Sequence, residues 1–234
     1  MMHEIKLDPE LVARLTEQRG GQLHVIDHID PARTAHLIID MQNGFVEPGA
    51  PVEVPIARDI VPNVNRISAA VRAAGGHNYF VQFTTPVGAL DSWSSFYARF
   101  SRDGARIHQD AFAPGAHHWQ LWPALEVDAR YDRTIEKRRF SAFIPGTCDL
   151  DEQLRAAGID TLIISGTLTN CCCESTARDA MQMNYRVIFA SDANAALSDA
   201  EHNATLNDML FVFADVRSTD DIAALLQPAM AQAQ

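Results

Sequence analysis

The sequence predicts an α/β fold: a three-layer α/β/α, Rossmann-like sandwich around a mostly parallel sheet of roughly six strands. Two observations carry that expectation. Short apolar runs alternate with amphipathic segments along the chain, as they do when parallel strands are joined by helical crossovers. In addition, 47% of the 234 residues are hydrophobic and 21% charged, which suits one large core.

Taken in order, Asp8-Pro9 opens a short helix with Leu11 and Leu15 on one face, and Gly20-Gly21 ends it. Residues 1–30 read as an N-terminal extension packed on the domain or on a neighbouring subunit, and residues 31–234 as the domain itself. Five apolar runs have strand length, His36 to Ile39, Tyr79 to Phe83, Thr161 to Ile164, Val187 to Ala190 and Phe211 to Val216, and Tyr131 to Glu136 reads as a further strand. Between the first two, Val64, Ile67 and Val71 share a helix face, and Gly75-Gly76 closes it. Leu150 and Leu154 mark a helix ending near Gly158. Ser198 and Glu201 have capping-box spacing and start a helix reaching roughly to Leu210. A last helix covers Thr219 to Leu226. The stretch from Pro86 to Pro123 is rich in aromatic residues, His, Ser and Gly with weak periodicity, and is expected to cover an active site.

A net charge of -11, with no run of Lys or Arg that forms a local basic patch, opposes a phosphate backbone or an anionic membrane as partner. No apolar run approaches the ~18 to 20 residues that span a bilayer, and the N-terminus lacks a signal-peptide pattern, so a cytoplasmic protein is expected. Three of the four cysteines, Cys171, Cys172 and Cys173, are consecutive. That is a poor layout for disulfides and lacks the C-x-x-C spacing of zinc sites.

In open parallel sheets, ligands bind beyond the carboxyl ends of the strands. Asp40 directly follows one apolar run, Lys137 follows the expected strand Tyr131 to Glu136, and the turn from Gly166 to Cys173 follows another apolar run and opens a helix. Each has a plain structural explanation: a turn cap, a solvated strand end, and small core residues. Together they are a carboxylate, a cation and a thiol at three strand ends. At a helix start the dipole would favour thiolate character, and only one of three consecutive thiols can face a pocket squarely. Spacing leaves open which one.

The runs LIIDMQNGF, EKRRFSAF and SGTLTNCCCESTARDA resemble, in order, the three conserved blocks of the isochorismatase-like cysteine hydrolases, over roughly Ala35 to Val216. The resemblance implies catalytic roles for Asp40, Lys137 and, in the frame G-x-x-T-N-x-C, Cys172. It also implies a cis peptide between Thr167 and Leu168, with the Leu168 and Cys172 N–H groups as oxyanion hole.

The nucleophilic cysteine places the chain in the amidohydrolase branch, acting on a small-molecule amide, ureido or lactam bond with no cofactor. Alternatives are isochorismatase-type hydrolysis of an ether bond, or a non-catalytic thiol redox or binding protein on the same fold. Relatives imply a homodimer or homotetramer. Nicotinamidases also carry an Asp-x-His metal motif after the second strand; QFTTPVGALDSWSSF has none, so no catalytic metal is expected, and His108, His117 and His118 read as loop residues. Phe45, Trp93, Phe96, Tyr97, Trp119, Trp122, Phe140 and Phe143 are the aromatic candidates for a substrate pocket.

Overall fold

The computed structural model describes residues 1–227. Asp8 caps the first helix, α1 (Pro9–Gln18), accepting from the Glu10 N–H, and Leu15 is driven into the core from its inner face. The chain then alternates: β1 (Thr34–Ile39), the one-turn α2 (Asn43–Val46), α3 (Ala57–Ala73) and β2 (His77–Phe83). Three short helices follow, α4 (Ala89–Ser92), α5 (Ser94–Tyr97) and α6 (Arg102–Ala111), before β3 (Arg133–Lys137). The second half runs α7 (Leu150–Ala156), β4 (Thr161–Thr167), α8 (Glu174–Gln182), β5 (Arg186–Ala195), α9 (Asp199–Asp208), β6 (Asp215–Arg217) and α10 (Thr219–Leu225).

All strand pairs are parallel, in the order β3-β2-β1-β4-β5-β6. The chain winds one way from β1 to β3 and the other way from β4 to β6, so the crevice between the ends of β1 and β4 is the topological switch point. Alternation along the strands fills both faces. Leu37 and Ile39 join Tyr79, Leu162 and Leu154 in one core, while Ile38 joins Phe80, Ile163, Val64 and Ile67 in the other. Among the described residues, no helix is long and apolar enough to cross a membrane.

The first 30 residues pack on their own chain. Leu15 enters one core and Ile26 and Ile29 the other, and the backbone N–H groups of Lys6 and Asp8 donate to Asn203 and Asn207 of α9.

Three elements differ from the sequence reading. Phe211 to Val216 is not one strand: Met209–Phe213 continues α9 as a wide turn with Phe211 and Val212 exposed, and only Asp215–Arg217 pairs with the sheet. Its aromatic and β-branched residues mimic a strand, and a short apolar run does not separate the two states. β5 continues past its apolar run through Ser-Asp-Ala-Asn-Ala, because small residues suffice where the sheet is covered on both faces. Lys137 is the last residue of β3 rather than the residue after it.

Candidate active site

Asp40 leaves β1 with φ 51°, a left-handed conformation uncommon outside glycine, which turns its carboxylate back over the strand ends. Two bonds fix it there: its N–H donates to the Val81 carbonyl at 2.8 Å, and its carbonyl accepts from Thr167 Oγ1 at 2.9 Å. The second bond ties the end of β1 to the end of β4. Gly166 makes this closeness possible. Its φ is 121°, and a Cβ there would collide with the Ile39 backbone, so only glycine lets β4 run this near β1.

Beyond Gly166 the Thr167–Leu168 peptide is cis, and the chain enters a single π-type turn, Thr169–Cys173, that leads directly into α8. The cysteines therefore sit in this turn, ahead of the helix proper. Cys173 is wholly enclosed in the core, Cys171 is half-buried, and Cys172 lies against both Asp40 and Lys137.

Lys137 is fully buried, and Nζ donates to Asp40 Oδ2 at 2.8 Å and to the Arg139 carbonyl at 3.1 Å, over the Phe83 ring. Burial disfavours its charge, but the Asp40 carboxylate and Cys172 outweigh that and raise its pKa. Burial raises Asp40 in turn, against the pull of Lys137 and Cys172. Asp40 Oδ1 is buried with no hydrogen-bond partner among the described residues. A free carboxylate acceptor beside a thiol is what a proton transfer requires.

The expected thiolate character does not fall on Cys172. Its thiol is held to Cys171, buried, and set beside the Asp40 charge, and all three raise its pKa well above the usual thiol range. The dipole argument fails because the turn displaces the cysteines from the helix end while a carboxylate lies against the sulfur. Cys171, receiving the Cys172 hydrogen bond, is lowered instead. The shifts on Cys172 and Lys137 both favour their protonated forms.

Two groups the sequence reading missed hold this cluster in place. His202 of α9 donates from Nε2 to the Ser191 carbonyl at 2.9 Å, leaving Nδ1 to accept from Thr169 Oγ1 at 2.9 Å, which anchors the cysteine turn. His3 of the extension stacks on His202 at 4.2 Å. Gln42 spans the other side, donating to the Phe83 and Trp119 carbonyls and accepting from the Phe83 N–H.

The aromatic candidates divide. Phe45 and Phe143 are core residues, against Phe112 and Tyr185 respectively, and Tyr97 is buried in a small cluster under α4 to α6. Trp119 is half-buried with its indole N–H on Thr84, and Trp122 packs on the α3 side. Phe96 packs on the same small cluster as Tyr97 and stacks on Trp93 at 4.4 Å; Trp93 and Phe140 remain, edge to face at 4.8 Å, lining a groove with Arg139 and Ser141. Arg139 is shared between the groove and the charged cluster, since its carbonyl accepts from Lys137, but Asp40, Lys137 and Cys172 do not themselves line the groove. His108 is enclosed by Phe83, Phe96 and Phe112, whereas His117 and His118 lie beside Glu47.

Three buried imidazoles have lowered pKa values, all with burial as the largest cause: His36 falls to about 3, and His108 and His202 to about 4. Unfolding frees each to titrate near 6.5, so between about pH 6.5 and 4 the unfolded chain binds more protons. Stability therefore falls as the pH drops through this window, by at most about 4 kcal/mol per pH unit for three such groups. Thermal melts should show Tm declining from pH 7 to 5, with His202→Gln declining less steeply; equal slopes in the two proteins would contradict this.

Comparison with known proteins agrees with this fold. Residues 34–221 match the isochorismatase domain model. The chain is 32% identical to N-carbamoylsarcosine amidase of Arthrobacter sp over 83% of its length and 71% of that protein's. It is 27% identical to ureidoacrylate amidohydrolase RutB of Pseudomonas savastanoi pv. phaseolicola, covering 85% of both. The crystal structure of a cysteine hydrolase from Pseudomonas syringae pv. phaseolicola superposes with a TM-score of 0.75 at 30% identity, covering 85% of this chain and 94% of that one. With its parallel sheet, its strand-end cluster and four-fifths of its length matched by one domain model, the chain belongs to the isochorismatase family of hydrolases.

Proposed function

We propose that the chain hydrolyses a C–N bond of a small molecule, an amide, ureide or lactam, through a thioester formed on Cys172. The observation that carries this reading is the buried Cys172 set against Asp40 and Lys137 at the switch point of the sheet. Asp40 takes the thiol proton as the sulfur attacks the carbonyl carbon, and Lys137 holds the carboxylate and the forming thiolate in one charged cluster. The Leu168 and Cys172 N–H groups receive the oxyanion. Asp40 returns the proton to the departing nitrogen, ammonia or an amine leaves, and water then cleaves the thioester to the acid and regenerates the thiol. No cofactor enters this route.

Two relatives named for amide substrates, N-carbamoylsarcosine and ureidoacrylate, support a C–N bond over an ether. In this reading the groove between Trp93, Arg139 and Phe140 admits the substrate, and the chain works as a homodimer or homotetramer. A panel of N-carbamoyl amino acids, ureido acids, primary amides and lactams, assayed for ammonia or amine release, tests the proposal. At least one class should turn over with stoichiometric release of nitrogen. Cleavage of a vinyl ether alone, or thiol labelling without turnover of any amide, would overturn it.

A further inference from the structure

We infer that Glu47, His117 and His118 form a binding site for a first-row divalent transition-metal ion of the Zn²⁺ type, separate from the Cys172 cluster. The three residues bring their ligand atoms within 4.8 Å of one another. His117 Nε2 lies 2.7 Å from Glu47 Oε2, and His118 Nε2 lies 3.8 Å from the same oxygen. Ligands of a tetrahedral ion at about 2.0–2.1 Å stand roughly 3.3 Å apart, so small side-chain shifts convert this hydrogen-bonded cluster into a coordination shell.

Two imidazole nitrogens with one carboxylate oxygen select a borderline ion over Ca²⁺ or Mg²⁺, which take oxygen ligands. The two rings are inclined at 69°, so their nitrogens approach one point from different directions. Both turn Nε2 toward Glu47, and an ion bound through each Nε2 would displace any proton there and leave the ring proton on Nδ1.

The backbone beneath these ligands is fixed, as a binding site needs it to be. The His117 carbonyl accepts from Asn43 Nδ2 at 2.9 Å, the His118 carbonyl accepts from the Gly44 N–H at 2.9 Å, and Glu47 ends α2 with its N–H on Asn43. Asn43 Oδ1 is buried without a partner among the described residues, so a hydrated ion would bring donors to a neighbourhood that lacks one. The side chains themselves are partly open to solvent, which admits an ion, and the net charge of -11 draws cations to the surface.

The bound ion acts as a clamp. Residues 41–47 and 113–122 are already joined by the Gln42–Leu121 bridge and by Asn43 N–H to the Gln120 carbonyl, and the ion closes the outer end of that seam. Trp119, next to His118, touches the strand ends through Gln42 and Gln82, so the clamp stiffens the segment that covers them.

The test uses tag-free chain stripped with chelator and titrated with ZnCl₂ by calorimetry, with CoCl₂ as a spectroscopic probe. One ion per chain is expected, with a Co²⁺ spectrum free of thiolate charge transfer. Glu47→Gln and His118→Ala should each weaken binding on the order of 100-fold, with His28→Ala unchanged. Zn²⁺ at a hundred times its Kd should raise Tm by roughly 5–10 °C in the wild type and not in the two variants. Absence of saturable binding, equal affinity in both variants, or a cobalt–thiolate band that persists in them would each overturn the site.

Discussion

Cys172→Ala is expected to lower kcat/KM on the responsive amide by about 10⁴-fold or more, because without the sulfur no acyl-enzyme forms and only binding and the oxyanion donors remain. The neighbours discriminate this from a general effect of thiol loss. Cys171 is half-buried, and Cys171→Ala removes the partner that holds the Cys172 thiol without removing the attacking atom, so activity should stay within about tenfold. Cys173 is enclosed in the core, and Cys173→Ala should lower Tm more than it lowers kcat. Intact-mass spectrometry of the wild type under turnover should find the acyl group on the peptide containing Cys172. Full activity in Cys172→Ala, or an adduct on Cys171 that persists in that variant, would overturn the proposed nucleophile.

The strand ends were legible because each carries a charge where an apolar residue would be ordinary. Asp40 closes the fully buried run of β1, and Lys137, the last residue of β3, takes the buried place in its alternation after Ile135. The parallel sheet followed from apolar runs spaced by helices, and all six strands are present. What local pattern does not encode is contact at long range. Thr169 is fixed by His202, which the His3 ring covers, and the three come from separate parts of the chain. Glu47 and His117 are 70 positions apart, so a pair of adjacent histidines read as loop residues until the fold supplied the carboxylate. The wide turn at Thr169–Cys173 was equally hidden, since a helix start and a π-type turn differ only in where the backbone bonds close. That difference reverses the electrostatics of Cys172. Its sulfur meets Asp40 before it meets a helix dipole, and the Cys171 contact, burial and that carboxylate together raise the thiol's pKa.

Lys137→Met should be the most destabilising of the single substitutions in the cluster, by about 3–5 kcal/mol, because it strands the fully buried Asp40 carboxylate without its counter-charge. For a chain of this length that corresponds to a Tm loss of roughly 6 to 20 °C. The loss should depend on pH in a definite direction. Burial raises the Asp40 pKa, and without Lys137 only the Cys172 thiol and the Phe83 backbone N–H oppose it. A carboxyl whose folded pKa lies above its unfolded value stabilises the fold below the unfolded value and loses that contribution as the pH rises through the folded one. The variant should therefore be closest to wild type in mild acid and fall further behind toward pH 8.

Asp40→Asn leaves the ammonium unpaired instead, but Asn still offers an oxygen to Nζ, so its cost should be smaller. The double variant Asp40→Asn/Lys137→Met carries no buried charge at all and should recover much of the loss seen in Lys137→Met alone, while all three variants lack amide turnover. Recovery of stability without recovery of activity separates the two contributions of the pair. If the double variant instead loses the sum of the two single losses, Asp40 and Lys137 do not act as a coupled pair, and the charged cluster proposed to hold the thiolate has no energetic basis.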